Sequence, residues 1–229
     1  MQIHGLNKTT LLDYPEHVAA TVFTGGCNFR CPFCHNAGLV LNPGDQAQIP
    51  EEEVLAYLNK RKGILEGVCI TGSEPTLQPD LAEFIGKVKA MGYLVKLDTN
   101  GYRPEVLRDL LNRELLDYIA MDIKACRENY ATAAGFPGLD VTKIEESVEI
   151  IKNSGIPYEF RTTVVNGIHT VEEFEEIGKW IAGSRAYYLQ AFRESGNLIA
   201  YKSFTKREME QMSALAGKYI RKVELRGVE

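Results

Sequence analysis

Short apolar runs rich in β-branched residues alternate with longer amphipathic stretches along most of this chain of 229 residues. Strands alternating with helices favour a parallel sheet with right-handed crossovers. The runs predict six strands, at His17–Phe23, Gly67–Thr71, Leu94–Asp98, Tyr118–Ile123, Tyr158–Val164 and Ala186–Gln190. The amphipathic stretches predict six helices, at Pro50–Lys62, Pro79–Met91, Pro104–Asn112, Lys143–Asn153, Val171–Ala182 and Thr205–Ile220.

Chain length limits how many strand–helix units the fold can contain. A closed barrel of eight units typically needs about 250 residues. We therefore predict an α/β fold, an open partial TIM barrel of about six βα units with a parallel sheet, as a single domain over residues 1–229. Lys222–Arg226 is predicted to add a short seventh strand. A flat doubly wound sheet is the alternative that the same alternation permits.

Charge and hydropathy narrow the classes of partner. The chain has 31 acidic and 26 basic side chains, a net charge of −5, which argues against a protein that coats nucleic acid. No apolar run approaches the roughly 20 residues that span a bilayer. The first residues lack the apolar middle of a signal peptide. We expect a cytoplasmic protein with neither nucleic acid nor a membrane as partner.

Three of the five cysteines, Cys27, Cys31 and Cys34, fall within eight residues after the first predicted strand. An odd, clustered set indicates a metal or redox site rather than a disulfide framework. Three thiolates can hold a [4Fe–4S] cluster and leave one iron open to a small-molecule ligand. The alternative is a Cys3His zinc site with His35, although His35 adjoins Cys34 directly. Cys69 is predicted to be a core residue, and Cys126 is predicted to be an inert thiol.

The spacing CxxxCxxC, followed by Ile70-Thr71-Gly72-Ser73-Glu74-Pro75, resembles the radical S-adenosylmethionine (SAM) superfamily. The second segment resembles that superfamily's Gly-Gly-Glu-Pro motif, with a serine in place of the second glycine. The resemblance implies that Cys27, Cys31 and Cys34 bind a [4Fe–4S] cluster. It also implies SAM contacts from residues of both motifs, namely Phe33, His35, Gly72, Ser73 and Glu74.

Two further strand ends, Leu97–Gly101 and Met121–Lys124, resemble glycyl-radical-activating enzymes. Two acidic groups at neighbouring strand ends repel unless a cation or a substrate ammonium lies between them. Ordinary loop polarity is the alternative interpretation. The resemblance implies SAM contacts from Asp98, Asn100, Asp122 and Lys124. It also implies a Na⁺ or K⁺ site formed by Asp98, Thr99, Met121 and Asp122.

Arg161 and Thr163 share one face of the fifth predicted strand, because side chains alternate along a strand. Arg161 is predicted to contact SAM or to orient Glu74. A structural ion pair with Glu159 or Glu74 is the alternative. His169, in the next loop, is predicted to be a surface turn residue.

Five stretches carry a further resemblance, namely Thr9–Pro15, Thr21–Leu39, Ile70–Gln78, Met121–Ala125 and Phe160–Val165. Through them the whole chain resembles the activating proteins of anaerobic ribonucleoside-triphosphate reductases. The resemblance implies that a reduced cluster ligates SAM and cleaves its C5′–S bond. The resulting 5′-deoxyadenosyl radical then removes hydrogen from a glycine of the large reductase subunit. A low-potential electron donor such as flavodoxin or ferredoxin is expected. Three alternatives stay open: a small-molecule radical SAM enzyme such as a 7-carboxy-7-deazaguanine synthase, a pyruvate formate-lyase-type activating enzyme, and a non-catalytic iron–sulfur carrier.

Overall fold

The structure, a computed structural model, describes residues 1–193 and 201–228. The apolar runs form strands because they can be buried on both faces of a sheet. The strands are β1 (Ile3–Thr10), β2 (Ala19–Thr24), β3 (Gly67–Gly72), β4 (Leu94–Thr99), β5 (Tyr118–Asp122), β6 (Tyr158–Val164), β7 (Tyr187–Ala191) and β8 (Val223–Arg226).

The amphipathic stretches form the longer helices, and two short helices lie in loops. In the third helix, for example, Leu81, Phe84, Ile85 and Val88 recur at helical spacing and are all buried. The helices are α1 (Ala37–Leu41), α2 (Glu51–Lys60), α3 (Leu81–Ala90), α4 (Pro104–Asn112), α5 (Tyr130–Ala134), α6 (Val141–Lys152), α7 (Glu173–Trp180) and α8 (Lys206–Ala216).

The strand order in the sheet follows the chain, from β1 through to β8. Strand β2 pairs parallel with β3, β3 with β4, β6 with β7 and β7 with β8. The predicted α/β class with an open, mostly parallel sheet is confirmed. The six predicted strands and the short seventh are present.

Strand β1 was not predicted from the sequence, and it pairs antiparallel with β2 at the edge of the sheet. Only Ile3 and Thr10, at its two ends, are buried. An edge strand has backbone partners on one side only and needs no continuous apolar run. Because the composition of β1 is mixed, the pattern of apolar runs did not predict this strand.

By its internal contacts the chain forms two compact units. The first comprises Met1–Asn28, Asn36–Ala120 and Asn153–Pro157. Its core includes Val54 and Leu58 of α2 together with Phe84 and Val88 of α3, none of which is exposed to solvent. The prediction of a single domain stays a prediction.

The second unit comprises Phe29–His35, Met121–Lys152 and Tyr158–Glu229. Helices α7 and α8 pack closely at Gly178, where a Cβ atom would lie 2.9 Å from Cα of Ala216. A buried hydrophobic cluster in this unit is formed by Phe33, Ala125, Ala133, Val165 and Phe192. Among the described residues, none of the helices combines the length and the apolar composition that a membrane span requires.

Candidate active site

In the first unit, the two glycines before Cys27 are held by the loop that follows β3. The N–H of Gly26 donates to the carbonyl of Leu39 at 2.9 Å, and the Gly26 carbonyl accepts from the N–H of Glu74 at 3.0 Å. The Gln78 amide donates to the Gly25 carbonyl at 2.9 Å. Gly26 has φ +81°, a conformation that favours glycine. The backbone leading into Cys27 is therefore fixed by the Gly-Ser-Glu-Pro segment.

Glu74 is completely buried, and its carboxylate joins the ends of β3 and β4. One oxygen accepts from the Thr76 N–H at 3.1 Å and the Thr99 hydroxyl at 2.8 Å, and the other accepts from the Asn100 N–H at 2.6 Å. Burial raises the pKa of Glu74, while these donors oppose the rise. The carboxylate thus holds two candidate site segments together.

Ser73 stands where the superfamily motif has its second glycine, and its hydroxyl oxygen is buried and has no hydrogen-bond partner among the described residues. Its backbone N–H donates to the Thr24 carbonyl at 3.0 Å. The preceding Gly72 has φ +107°, and a Cβ atom there would lie 2.6 Å from the backbone nitrogen of Thr24. The Gly72 carbonyl accepts from the Asn36 amide at 2.7 Å. Glycine is therefore required at position 72, whereas Ser73 adds one polar atom without a hydrogen-bond partner among the described residues.

Asp98 lies at the end of β4 and is already paired inside the first unit. Its carboxylate contacts the buried ammonium of Lys96 and accepts from the Thr71 hydroxyl at 3.0 Å. The Cys69 sulfur lies 3.8 Å from Asp98 Oδ1 and 3.7 Å from Lys96 Nζ. Cys69 is fully buried, as predicted. The Thr99 hydroxyl, predicted as a cation ligand, is directed to Glu74.

In the second unit, Cys31 and Cys34 share one turn, in which the Cys34 N–H donates to the Cys31 carbonyl at 3.1 Å. The turn is fixed from the other side by Arg30, whose N–H donates to the Ala134 carbonyl at 2.8 Å. Burial raises the pKa of the Cys31 thiol, and the positive charge of Lys124 opposes the rise. A thiolate here needs a cation, either Lys124 or a bound metal, to offset its burial.

Asp122, at the end of β5, forms ion pairs with Arg161 and with Lys124, whose ammonium lies 2.9 Å from Asp122 Oδ2. Burial alone would raise the pKa of Asp122, but Arg161 and Lys124 hold it well below its usual range. The same pairing outweighs burial and holds the pKa of Lys124 above its usual range. The Asp122–Arg161–Lys124 cluster is therefore charged at neutral pH.

Arg161 forms an ion pair with Asp122, and Glu159 forms a two-pronged ion pair with Arg226. The contact of Arg161 with SAM stays a prediction. The premise that Asp98 and Asp122 are uncompensated carboxylates is wrong, because each has a cationic partner within its own unit. The Na⁺ or K⁺ site of Asp98, Thr99, Met121 and Asp122 stays a prediction, without the repulsion that motivated it.

Phe33 and His35 make contacts that the sequence did not indicate. Phe33 is a core residue of the second unit, packed beside Phe192. The His35 ring approaches the Arg193 carbonyl, with Nε2 at 2.8 Å. Within the described residues, no three His, Cys, Asp or Glu side chains converge on one metal ion. An iron–sulfur cubane places its thiolates on separate irons and does not require such convergence.

His169 was predicted to be a surface turn residue, and that prediction is wrong. The side chain is buried, with Nδ1 accepting from the Val165 N–H at 3.0 Å and Nε2 lying 2.7 Å from the Lys124 carbonyl. Because a carbonyl can only accept, Nε2 carries the proton and the ring is neutral. Burial lowers the pKa of His169 accordingly. His169 thus braces the backbone of Lys124, a link across 45 residues that no local pattern indicates.

Comparison with known proteins adds a family and several relatives. The Radical SAM superfamily matches residues 21–181. A Methanocaldococcus jannaschii protein, named as a candidate glycyl-radical enzyme activating enzyme, is 30% identical, with 99% of this chain and 96% of that protein covered. A Thermococcus kodakarensis protein, named as a candidate GTP 3′,8-cyclase, is 29% identical, with 67% of this chain and 50% of that protein covered.

Among solved structures, Streptococcus suis SuiB bound to S-adenosylmethionine is similar with a TM-score of 0.69 at 13% identity. The match covers 88% of this chain and 48% of SuiB, so this chain spans about half of that protein. At such low identity the likeness shows a shared fold alone.

Proposed function

The chain belongs to the radical SAM superfamily, and we propose that it is a glycyl-radical-activating enzyme whose partner is an anaerobic ribonucleoside-triphosphate reductase. The observation that carries the proposal is the match to the M. jannaschii protein, which extends over 99% of this chain and 96% of that one. The GTP 3′,8-cyclase relative is matched over only half its length. The cyclase match also covers less of this chain, 67% against 99%, so the activating-enzyme match is favoured.

The donor set of the cysteine loop fits a [4Fe–4S] cluster. Cys27, Cys31 and Cys34 would bind it, and the cluster, when bound and reduced, would supply the electron that cleaves SAM. Two observations support the fit. The Asn100 amide points an N–H at the Cys27 sulfur from 3.7 Å, and the positive charge of Lys124 acts on the Cys31 thiol. Both arrangements stabilise negative charge on sulfur.

The SAM-binding roles follow from the remaining polar groups. An ammonium group needs acceptors. The segment Gly72–Ser73 offers the SAM amino group the buried serine hydroxyl, to which no other described residue hydrogen-bonds. A Lys ammonium has three N–H donors, so the bond of Lys124 to Asp122 leaves capacity for the SAM carboxylate. Arg161 then holds Asp122, and through it Lys124, in place.

The proposal is tested by anaerobic reconstitution with iron and sulfide, followed by incubation with SAM and reduced flavodoxin or ferredoxin. We expect about four irons per chain, and we expect Cys27→Ala, Cys31→Ala and Cys34→Ala each to abolish formation of 5′-deoxyadenosine. Cys69→Ala and Cys126→Ala are the matched controls and should retain it. The assignment of the cluster ligands would be contradicted if Cys126→Ala lost the cluster while a variant of Cys27, Cys31 or Cys34 kept it.

The partner is tested by adding a candidate anaerobic reductase subunit and recording its electron paramagnetic resonance (EPR) spectrum. A glycyl-radical doublet that depends on this protein, SAM and reductant would support the proposed partner. Formation of 5′-deoxyadenosine without a radical on the reductase would favour either another glycyl-radical enzyme, such as pyruvate formate-lyase, or a small-molecule substrate. Assaying pyruvate formate-lyase in parallel separates these two results.

A further inference from the structure

Every polar atom of the Asn100 side chain is directed within the first unit. Its Oδ1 accepts from the Tyr102 N–H at 3.0 Å, and its Nδ2 donates to Asn28 Oδ1 at 2.8 Å. The same Nδ2 lies 3.7 Å from the Cys27 sulfur. Because an amide nitrogen has two N–H groups, one can serve Asn28 while the other serves the sulfur. Asn100 is only 5% exposed, so solvent hardly competes for these bonds.

The backbone of Asn100 is fixed as firmly as its side chain. Its N–H donates to the buried carboxylate of Glu74 at 2.6 Å. Thr76 and Thr99 donate to the same carboxylate and hold it in one orientation. A residue anchored at its backbone N–H and at both ends of its amide cannot turn its Nδ2 away from Cys27 without breaking several hydrogen bonds.

On the basis of the proposed function, we propose that Asn100 is a positioning residue that hydrogen-bonds the Cys27 thiolate and raises the reduction potential of the cluster. Hydrogen bonds to ligand sulfurs are among the factors that set iron–sulfur potentials. Reduction adds one negative charge to the cluster and its thiolates, so a fixed N–H dipole stabilises the reduced state more than the oxidised state. The resemblance implied SAM contact for Asn100, whereas the geometry directs its amide to the cluster loop.

The proposal is tested on reconstituted full-length protein by redox titration of the cluster, monitored by EPR. Asn100→Leu keeps the size of the side chain and removes the N–H. A hydrogen bond to a thiolate that strengthens by about 1 kcal/mol on reduction corresponds to about a fivefold change in the reduced-to-oxidised ratio. At 59 mV per tenfold change for one electron, Asn100→Leu should lower the potential by about 40 mV.

Thr76→Val is the matched control, because it removes the hydroxyl that donates to Glu74 at 2.5 Å, keeps the backbone N–H that donates to the same carboxylate, and removes no donor to sulfur. Its potential should stay at the wild-type value. If Asn100→Leu does not assemble a cluster, Asn100→Asp keeps the acceptor for Tyr102. It replaces the N–H by a carboxylate oxygen and should lower the potential further.

An intact cluster with wild-type potential in the Asn100 variants would overturn the proposal. An unchanged potential combined with weakened SAM binding would also overturn it, because that result would indicate that Asn100 contacts SAM rather than the Cys27 sulfur. Failure of wild-type protein to assemble a cluster would instead overturn the proposed function itself, so the two failures are distinguishable.

Discussion

Replacing Gly135 by alanine should displace the cysteine turn of the second unit. Gly135 ends helix α5 with φ +58° and ψ 37°, in the left-handed region. A Cβ atom there would lie 2.0 Å from the carbonyl oxygen of Arg30 and 2.6 Å from its carbonyl carbon. Arg30 immediately precedes Cys31, so relief of the clash must move the backbone that carries this cysteine.

The expected loss of stability can be worked out from these contacts. Alanine in the left-handed region costs about 1 kcal/mol. Loss of the hydrogen bond from Arg30 N–H to the Ala134 carbonyl costs about 1 kcal/mol more. The contact between the rings of Phe29 and Phe136, whose centroids are 6.2 Å apart, contributes about another 1 kcal/mol if it is lost. Gly135→Ala should therefore lower the free energy of unfolding by about 3 kcal/mol.

Gly138→Ala is the matched control. Gly138 has φ +75°, but no atom of the residues that the structure describes lies within 4 Å of its Cβ position. Gly138→Ala should lower the free energy of unfolding by only about 1 kcal/mol, which is the cost of alanine in the left-handed region that the two variants share. Urea unfolding of the metal-free proteins measures both values, and iron per chain after reconstitution reports on the cysteine turn. Equal destabilisation of the two variants, with full iron binding by Gly135→Ala, would refute the reasoning.

Two further predictions concern buried charge. The folded pKa of His169 is lowered by burial, so the unfolded chain takes up the proton first and stability should fall as pH drops below about 6.5. The urea midpoint of unfolding, measured at pH 7.5 and at pH 5.5, should decrease less in His169→Gln than in wild type. An equal decrease in the two proteins would argue against a neutral His169. Lys96→Met leaves the carboxylate of Asp98 buried beside an apolar chain and should cost about 3 kcal/mol of unfolding free energy, which adding Asp98→Asn should largely restore. Urea denaturation of Lys96→Met and of the double variant with Asp98→Asn measures both free energies of unfolding. A double variant no more stable than Lys96→Met would refute the pairing of Lys96 with Asp98 as the source of the loss.

The positions of most strands could be predicted from the sequence, because a strand buried on both faces needs a continuous apolar run and that run is local. Strands β2 to β7 carry such runs, whereas β8 alternates apolar and charged residues and has none of its four residues buried. Strand β1 carries none, because its side chains between Ile3 and Thr10 stay at least partly exposed. It exists through pairing with β2, which depends on the turn that brings the two together.

The chemistry of the site was likewise predictable where it is local. The spacing of Cys27, Cys31 and Cys34 and the segment Gly72–Pro75 lie within a few residues each, and they carried the superfamily assignment that the comparisons confirm. The sequence also showed that Ser73 replaces the second glycine of the Gly-Gly-Glu-Pro motif. Only the structure showed that the Ser73 hydroxyl is buried with no hydrogen-bond partner among the described residues.

The sequence by itself therefore determined the order of strands and helices and the residue types gathered in each loop. Only the tertiary structure decided which of those side chains meet. Glu74 reaches Asn100, Arg161 reaches Asp122, and His169 reaches the carbonyl of Lys124, over separations of 26, 39 and 45 residues. Periodicity reports which face a side chain occupies within its own element, whereas hydrogen bonds and ion pairs between elements depend on where parallel strands end in space. That placement is set by packing of the whole sheet, and no window of the sequence contains it.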